Sequence, residues 1–250
     1  MLESFSKRRK IWAIIALPAW VLAGLLVAQI IVTGLLFGLM ALGMDKAILT
    51  DGVVAQALSI SAVYMLAIFF VAWVPWIIRK RRTTLKEIGL HKLPTWIDIF
   101  LAPSGFVVYL LLSVALVFLA SQALPWFDIT QAQDVGFDNL VWRYEYLLAF
   151  LALVVIVPVA EEVLFRGYLY GKMRKTIPAW AVIIITAVLF GAVHGAWNLA
   201  VDMFALGIIL GLLREVTGGL WAPILLHMTK NAVAFYYIFI NPVVSATLGA

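Results

Sequence analysis

Residues 18–42 read PAWVLAGLLVAQIIVTGLLFGLMAL and contain no Asp, Glu, Lys, Arg or His. A helix needs about 20 apolar residues to cross the roughly 30 Å hydrocarbon core of a bilayer. Because hydrocarbon offers no hydrogen-bond partners to the backbone, only helices and closed barrels can span it. The ten-residue alternation that is typical of a barrel strand is absent from the chain. The stretch therefore predicts a transmembrane helix.

Similar apolar segments follow along the chain. They predict an all-α fold, a polytopic transmembrane helical bundle that forms one membrane domain over residues 1–250. We count seven crossings, with an eighth if the tail after Asn241 re-enters the membrane. The segments are 18–42, 53–78, 97–120, 144–160, 179–198, 200–213 and 219–240.

The composition supports a membrane protein and excludes several other classes. Hydrophobic residues make up 65% of the chain and charged residues 12%, whereas a soluble domain carries about 25% charged residues. An ordinary soluble enzyme, a disordered chain and a fibrous repeat are therefore excluded. The chain has no cysteine, which excludes disulfides, iron–sulfur clusters, thiolate metal sites and a cysteine nucleophile.

The basic residues lie in short blocks between the apolar segments, so the net charge of +5 indicates membrane topology and no nucleic-acid partner. The positive-inside rule places such blocks in the cytoplasm. It predicts a cytoplasmic N-terminus, cytoplasmic connections at 79–95, 166–178 and 214–218, and an outer connection at 121–143. With seven crossings the C-terminus lies outside. We expect a multi-pass protein of the plasma membrane if the source is bacterial.

Ionisable residues inside predicted spans are the main candidates for function, because a charge in the bilayer costs a few kcal/mol or more. They cluster in the second half of the chain, at Glu161, Glu162, His194, His227 and Lys230. The first half has almost none within its spans.

Residues 161–166 read EEVLFR. In a helix, Glu162 and Arg166 are spaced i,i+4 in the favoured orientation for an ion pair. Glu161 points about 100° away and has no such partner, so it stays available for chemistry. A poorly solvated carboxylate suits a general base. The alternative is that all three are ordinary charges at a helix end.

Two histidines each precede an asparagine by four residues, as His194/Asn198 and His227/Asn231. In a helix this spacing places both side chains on one face. A single histidine of this kind is more often a hydrogen-bonded core residue than a catalyst. Two such pairs together with two glutamates favour a catalytic site. The chain has no His-Glu-x-x-His zinc pattern and no glycine-rich phosphate loop.

These motifs resemble those of the CAAX protease and bacteriocin-processing (CPBP, or Abi) family of intramembrane proteases. The resemblance is carried by EEVLFRGYL at 161–169, by Phe190-x-x-x-His194 and by His227-x-x-x-Asn231, and it covers about residues 145–240. It implies a catalytic core at 144–240 and accessory spans at 1–143.

The resemblance also implies residue roles in an intramembrane endopeptidase. Glu161, helped by His194, would activate a water that hydrolyses a peptide bond, and His227 and Asn231 would stabilise the oxyanion. Glu162 and Arg166 would support the site, and Asn198 would orient His194 or the substrate. The expected partners are the lipid bilayer and a peptide or membrane-protein substrate. No cofactor is expected, with zinc on a Glu/His/His set as the minority alternative.

Other interpretations stay open at this point. Lys230 can pair with an acidic residue such as Asp202, or it can bind a substrate carboxylate or act on Glu161 through its charge. The segment 84–93 can form a short interfacial helix or a loop. The whole protein can be a non-catalytic scaffold or immunity protein, or a transporter in which Glu161, His194 and His227 form a proton path.

Overall fold

Helices form all the regular structure in the described part of this computed structural model, which comprises residues 2–128, 136–137 and 140–241. No strand occurs in these ranges, so the prediction of an all-α fold is confirmed. The α-helices in these ranges are α1 Leu2–Ala41, α2 Lys46–Thr50, α3 Val53–Ile68, α4 Val74–Arg79, α5 Leu85–Ile88, α6 Trp96–Ala123, α7 Arg143–Phe150, α8 Val157–Glu162, α9 Tyr170–Met173, α10 Ala179–Ala192, α11 Trp197–Thr217 and α12 Trp221–Phe235. The π-helical segments are π1 Phe69–Trp73, π2 Leu151–Ile156, π3 Val163–Leu169 and π4 Tyr236–Ile240.

Four continuous helices in the described ranges are long and apolar enough to cross a membrane. α10 is a shorter apolar helix, and the predicted segments 200–213 and 219–240 are helical within α11, α12 and π4. The bundle is thus confirmed, whereas the count of seven crossings stays a prediction. The eighth crossing would need residues 242–250, outside the described residues. The four long helices are Lys10–Ala41, Val53–Ile78, Trp96–Ala123 and Arg143–Met173.

The first helix runs without a break through Pro18, from Leu2 to Ala41. Its close approach to the second long helix depends on Gly24, where a Cβ would lie 2.5 Å from Val71 Cγ2. The indole of Trp20 donates a hydrogen bond to the Val71 carbonyl oxygen at 3.1 Å. α1 is therefore fixed against π1 at two neighbouring positions.

The prediction of one continuous span over 179–198 is wrong. α10 ends at Ala192, and Gly195 adopts a φ of +78°, a conformation that glycine reaches readily and other residues rarely do. The chain turns there before α11 begins at Trp197. The prediction that His194 and Asn198 share a helix face is consequently also wrong, because the two residues lie on opposite sides of this turn.

The connection after α4 contains the single-turn helix α5, which settles the choice between a short helix and a loop over 84–93. Thr84 and Glu87 form a reciprocal capping box at its start. α5 packs against π3 and α9, where a Cβ on Gly171 would lie 2.7 Å from the Glu87 carbonyl oxygen. Arg214 fixes this contact, since its Nε donates to the Arg166 carbonyl oxygen at 3.1 Å and its NH2 group to that of Glu87 at 3.3 Å.

Candidate active site

The two glutamates lie on the helix that runs from Arg143 to Met173, where α8 passes into π3. Glu161 is 5% exposed, and Glu162 and Arg166 are fully buried. Buried charges are costly unless they are paired and hydrogen-bonded. The interpretation of these residues as ordinary solvated charges at a helix end is therefore wrong.

Glu162 accepts contacts from two sides on one oxygen. Its Oε1 lies 2.9 Å from the NH1 group of Arg166, which confirms the predicted i,i+4 pair, and 3.1 Å from Nδ1 of His227. The Arg166 guanidinium also lies 4.2 Å from the centre of the Phe190 ring, within range of a cation–π interaction. Glu162 thus links the helix that carries it to α12.

Glu161 faces a tyrosine and the same histidine. Its Oε1 accepts a short hydrogen bond from the Tyr64 hydroxyl of α3, and its Oε2 lies 3.7 Å from Nε2 of His227. His227, which is 2% exposed, therefore turns one ring nitrogen toward each glutamate. The distance of 3.7 Å is too long for a direct hydrogen bond but lies within the range of an ion pair.

His194 lies in the turn between α10 and α11, with Nδ1 at 2.6 Å from the Phe190 carbonyl oxygen. A carbonyl oxygen can only accept, so Nδ1 carries the proton and Nε2 is the basic nitrogen of the neutral ring. His194 interacts electrostatically with Glu161, Lys230 and His227. The Phe190 ring contacts both histidines, with centroid distances of 4.9 Å to His194 and 5.7 Å to His227.

The two asparagines have different surroundings. Asn231 lies on α12 one turn after His227, as predicted, and its Nδ2 donates to the Leu153 carbonyl oxygen of π2 at 2.8 Å. Asn198 lies in the first turn of α11, where its Oδ1 accepts from the Leu199 backbone N–H at 2.8 Å. The oxyanion role of Asn231 and the orienting role of Asn198 stay predictions.

Lys230 belongs to a second polar group, between α6, α11 and α12. Its Nζ lies 4.0 Å from Asp202 Oδ2, which is the pairing that the sequence suggested. Asp202 also accepts hydrogen bonds from the hydroxyls of Tyr109 and Ser113. Lys230 interacts electrostatically with Glu161 as well, so this group borders the glutamates.

The zinc alternative does not fit the side chains as they lie. In the part of the chain that the structure describes, no three His, Asp or Glu side chains converge closely enough to hold a metal ion. Glu161 and His227 approach each other, but a tetrahedral zinc site needs at least three protein ligands.

Tyr64 is the contributor to this site that the sequence analysis missed. It lies in the predicted accessory region, 97 positions before Glu161. The sequence does contain one indication of this role, the residue type itself, because a buried tyrosine usually finds a partner for its hydroxyl. The partner lies on another helix, however, and the spacing of residues within one apolar helix does not predict which helix that is. The division into accessory spans and a catalytic core stays a prediction.

Residues 143–233 match the family model described as Type II CAAX prenyl endopeptidase Rce1-like. The chain is also 24% identical over 94 residues to the membrane-embedded CAAX protease MroQ of Staphylococcus aureus, which covers 35% of this chain and 38% of MroQ. Over this matched region, the chain is similar to members of the CPBP family. The resemblance seen in the motifs is thereby confirmed. The matched range contains Glu161, His194, His227 and Asn231.

Two further relatives align with the chain over similar lengths. An uncharacterised 24.3 kDa protein of Escherichia coli is 32% identical over 98 residues, which is 37% of this chain and 45% of that protein. The protein YpbD of Bacillus subtilis is 30% identical over 119 residues, 47% of this chain and 61% of YpbD. The chain thus spans about half the length of these curated relatives. No solved structure matches it. The apolar helices and the family together identify an integral membrane protein.

Proposed function

We propose that the protein is an intramembrane endopeptidase of the glutamic type, which hydrolyses a peptide bond of a peptide or membrane-associated substrate with an activated water. The observation that carries this proposal is the position of His227 between two buried glutamates, with one ring nitrogen toward each. A structural ion pair does not need a second carboxylate this close to the same ring.

Glu161 acts as the general base in this mechanism. Tyr64 occupies its Oε1, which leaves Oε2 to take a proton from the water that lies between it and the substrate. The resulting hydroxide attacks the carbonyl carbon, and Glu161 then passes the proton to the leaving amine. His194 assists through Nε2, because its Nδ1 proton is held by the Phe190 carbonyl oxygen. General acid–base catalysis of this kind contributes about 10²–10⁴-fold to a rate.

The oxyanion of the tetrahedral intermediate is stabilised by His227 and Asn231. Glu162 lies 3.1 Å from Nδ1 of His227, which fixes the ring with Nε2 toward Glu161. The protonated ring donates Nε2–H to the oxyanion, where preorganised donors contribute the most. Asn231 lies one turn further along the same helix. Arg166 balances the charge of Glu162 from the opposite side.

Substrates approach from the side with the basic connections, which the positive-inside rule places in the cytoplasm. A cavity of about 690 Å³ lies there along the helix from Arg143 to Met173, and its lining includes Val163, Leu164, Arg82 and Lys86. Val163 and Leu164 directly follow Glu162 in the chain. The cavity supports entry of an extended peptide beside the buried glutamates.

The direct test is cleavage by the purified protein in liposomes. Glu161→Gln and His194→Ala are compared with wild type and with a control, Glu145→Gln, whose carboxylate accepts backbone hydrogen bonds at the start of α7. We expect turnover to fall at least about 100-fold in the first two variants and to persist in the control. Substrates are found by comparing peptides from membranes that lack and that overproduce the protein.

Full turnover in both Glu161→Gln and His194→Ala would refute the proposal. Loss of cleavage on chelator titration, restored by zinc, would favour a metal-dependent mechanism instead. A scaffold would show no cleavage even in the wild type, and a transporter would show flux into liposomes that depends on Glu161.

A further inference from the structure

A second cavity, of about 830 Å³, lies between α1, α4 and α9 and is also lined by Tyr168 of π3. We propose that this groove is a binding site for an anionic glycerophospholipid, separate from the peptidase site. We call it the α1/α4 groove. Its lining includes the apolar side chains of Trp12, Ala16 and Ile78 and the basic side chains of Arg81, Lys172 and Lys175.

The long axis of the groove is apolar and faces the membrane. Trp12 is 48% exposed and Ile78 is 72% exposed, although both lie in helices that are long enough to span a bilayer. Such surfaces contact lipid in a transmembrane bundle. Because Trp20 is held against the Val71 carbonyl oxygen, the wall on the α1 side has a fixed shape. A groove of this kind suits an acyl chain.

Three cations line the groove, and all three come from the basic blocks that the positive-inside rule assigns to the cytoplasmic face. Lys172 and Lys175 share one counter-ion, Glu87, with Nζ–Oε distances of 3.7 Å and 2.5 Å. Together with Arg81, the cluster therefore carries three positive charges against one negative charge. This surplus suits the phosphate group of an anionic lipid, whose headgroups are bound by basic pockets between transmembrane helices.

The two parts of the groove lie as the two parts of a phospholipid require. The apolar lining extends inward along two spans, from Trp12 to Trp20 and from Ile78 to Val74, whereas Arg81, Lys172 and Lys175 lie at or just beyond the ends of spans. This places the cations at the headgroup level, where Trp12 also favours the interface. Lys172 lies over the Tyr168 ring at 5.0 Å, and Tyr168 belongs to π3, which follows Glu162. A lipid held here would thus contact the helix from Arg143 to Met173, which also carries Glu161 and Glu162.

The experiment uses the full chain in detergent and measures lipid binding by native mass spectrometry. The probes are phosphatidylglycerol, phosphatidylcholine with the same acyl chains, and inorganic phosphate. The headgroup variant carries Arg81→Gln, Lys172→Gln and Lys175→Gln, and the matched control removes three exposed lysines elsewhere, with Lys46→Gln, Lys80→Gln and Lys92→Gln. A third variant, Ala16→Phe, fills the apolar part.

We expect phosphatidylglycerol to bind about tenfold more tightly than phosphatidylcholine, because each basic residue near a phosphate contributes about 1 kcal/mol and Glu87 offsets part of it. The headgroup variant should lose this preference, the lysine control should keep it, and Ala16→Phe should weaken the binding of both lipids.

Equal binding of the two lipids to the wild type would overturn the proposal. So would an unchanged preference in a folded headgroup variant, or displacement of the lipid by inorganic phosphate alone. An isoprenoid alcohol and phosphatidylcholine are also compared as competitors of bound phosphatidylglycerol. If the isoprenoid alcohol is the more effective competitor, the groove binds a substrate chain and the proposal is wrong.

Discussion

Tyr64 and Glu161 are joined by a short hydrogen bond between α3 and α8, across 97 positions of the sequence. The bond occupies one oxygen of the carboxylate and thereby selects the other for contact with His227. The orientation of the proposed base is thus determined by a helix that lies outside the region matched by the family model.

Removal of this hydroxyl, in Tyr64→Phe, should lower kcat about 10- to 100-fold with little change in KM, since a hydrogen bond to a charged group contributes about 1.5–3 kcal/mol. The control is Tyr146→Phe, whose hydroxyl donates to the Leu140 carbonyl oxygen at 3.1 Å. Steady-state kinetics on a cleaved peptide measure both. Wild-type turnover in Tyr64→Phe would show that Glu161 needs no positioning residue.

The Arg166→Met variant should lose about 3–5 kcal/mol of stability, because it leaves the buried Glu162 without its guanidinium partner and with only His227 in contact. The double variant Glu162→Gln/Arg166→Met should recover much of this loss and remain inactive. Arg174→Met provides the control: Arg174 pairs with Glu215 at 2.9 Å on the surface, where solvent screens the pair, so its loss should cost much less. Chemical unfolding in detergent measures the differences, and equal losses for the two arginines would contradict this account.

If Lys230 contacts a substrate carboxylate, Lys230→Met should raise KM about tenfold or more for peptides with a free C-terminus and leave amidated peptides unaffected. Asp202→Asn, which keeps the lysine, is the matched variant. A purely structural pair would make both variants less stable and change neither KM nor the pH profile. That result would assign Lys230 to packing alone.

A methyl group at position 171 should disturb the contact between α9 and α5. In Gly171→Ala the new Cβ would lie 2.7 Å from a backbone oxygen of Glu87, so the backbone must move, at a cost of about 1–3 kcal/mol. Gly38→Ala, where nothing lies within 4 Å, should be neutral or stabilising, because alanine favours helix over glycine by about 0.5–1 kcal/mol. Thermal unfolding distinguishes them, and a neutral Gly171→Ala would mean that α5 is loosely held.

Glu87 should make stability depend on pH. Burial raises its pKa, but the hydrogen bond from Lys175, the backbone hydrogen bond of Thr84 and the charge of Lys172 outweigh that effect and hold the pKa below its usual value. Since the pKa is lowered in the folded state, the stabilisation is present above the unfolded pKa of about 4.3 and is lost as pH falls through the folded value. Glu87→Gln keeps an acceptor for the Thr84 backbone N–H, its amide oxygen, and removes the charge.

Thermal midpoints of wild type and Glu87→Gln should therefore differ at pH 7 and converge in acid. Lys175→Met should reduce this difference in thermal midpoint, because it removes the hydrogen bond that lowers the pKa of Glu87 most. Parallel curves for wild type and Glu87→Gln over the whole pH range would contradict the assignment.

Local features of the site were predictable from the sequence, whereas contacts between helices were not. The Glu162–Arg166 pair and the His227–Asn231 face each depend on the i,i+4 spacing of one helix, and both are present. The contact of Tyr64 with Glu161 depends on how two apolar helices face each other. The hydrophobic pattern of a membrane helix does not determine this, because lipid-facing and buried sides are both apolar.

The turn at Gly195 was missed for a related reason. Apolar residues continue on both sides of it, so the hydropathy pattern predicts one span where α10 ends and α11 begins. The informative residue was the glycine itself, which permits the φ of +78° that ends the helical path. His194 gains a backbone partner in this turn that a continuous helix would not offer.

The ion pair between Glu162 and Arg166 also affects how the chain enters the membrane during synthesis. Charged residues at the centre of a helix raise the insertion free energy by about 2.5–3.5 kcal/mol each. Because these two lie one turn apart on a single helix, they can neutralise each other before any other helix is present. The helix from Arg143 to Met173 therefore enters the bilayer with one uncompensated carboxylate, that of Glu161, which finds its tyrosine partner on a helix inserted earlier.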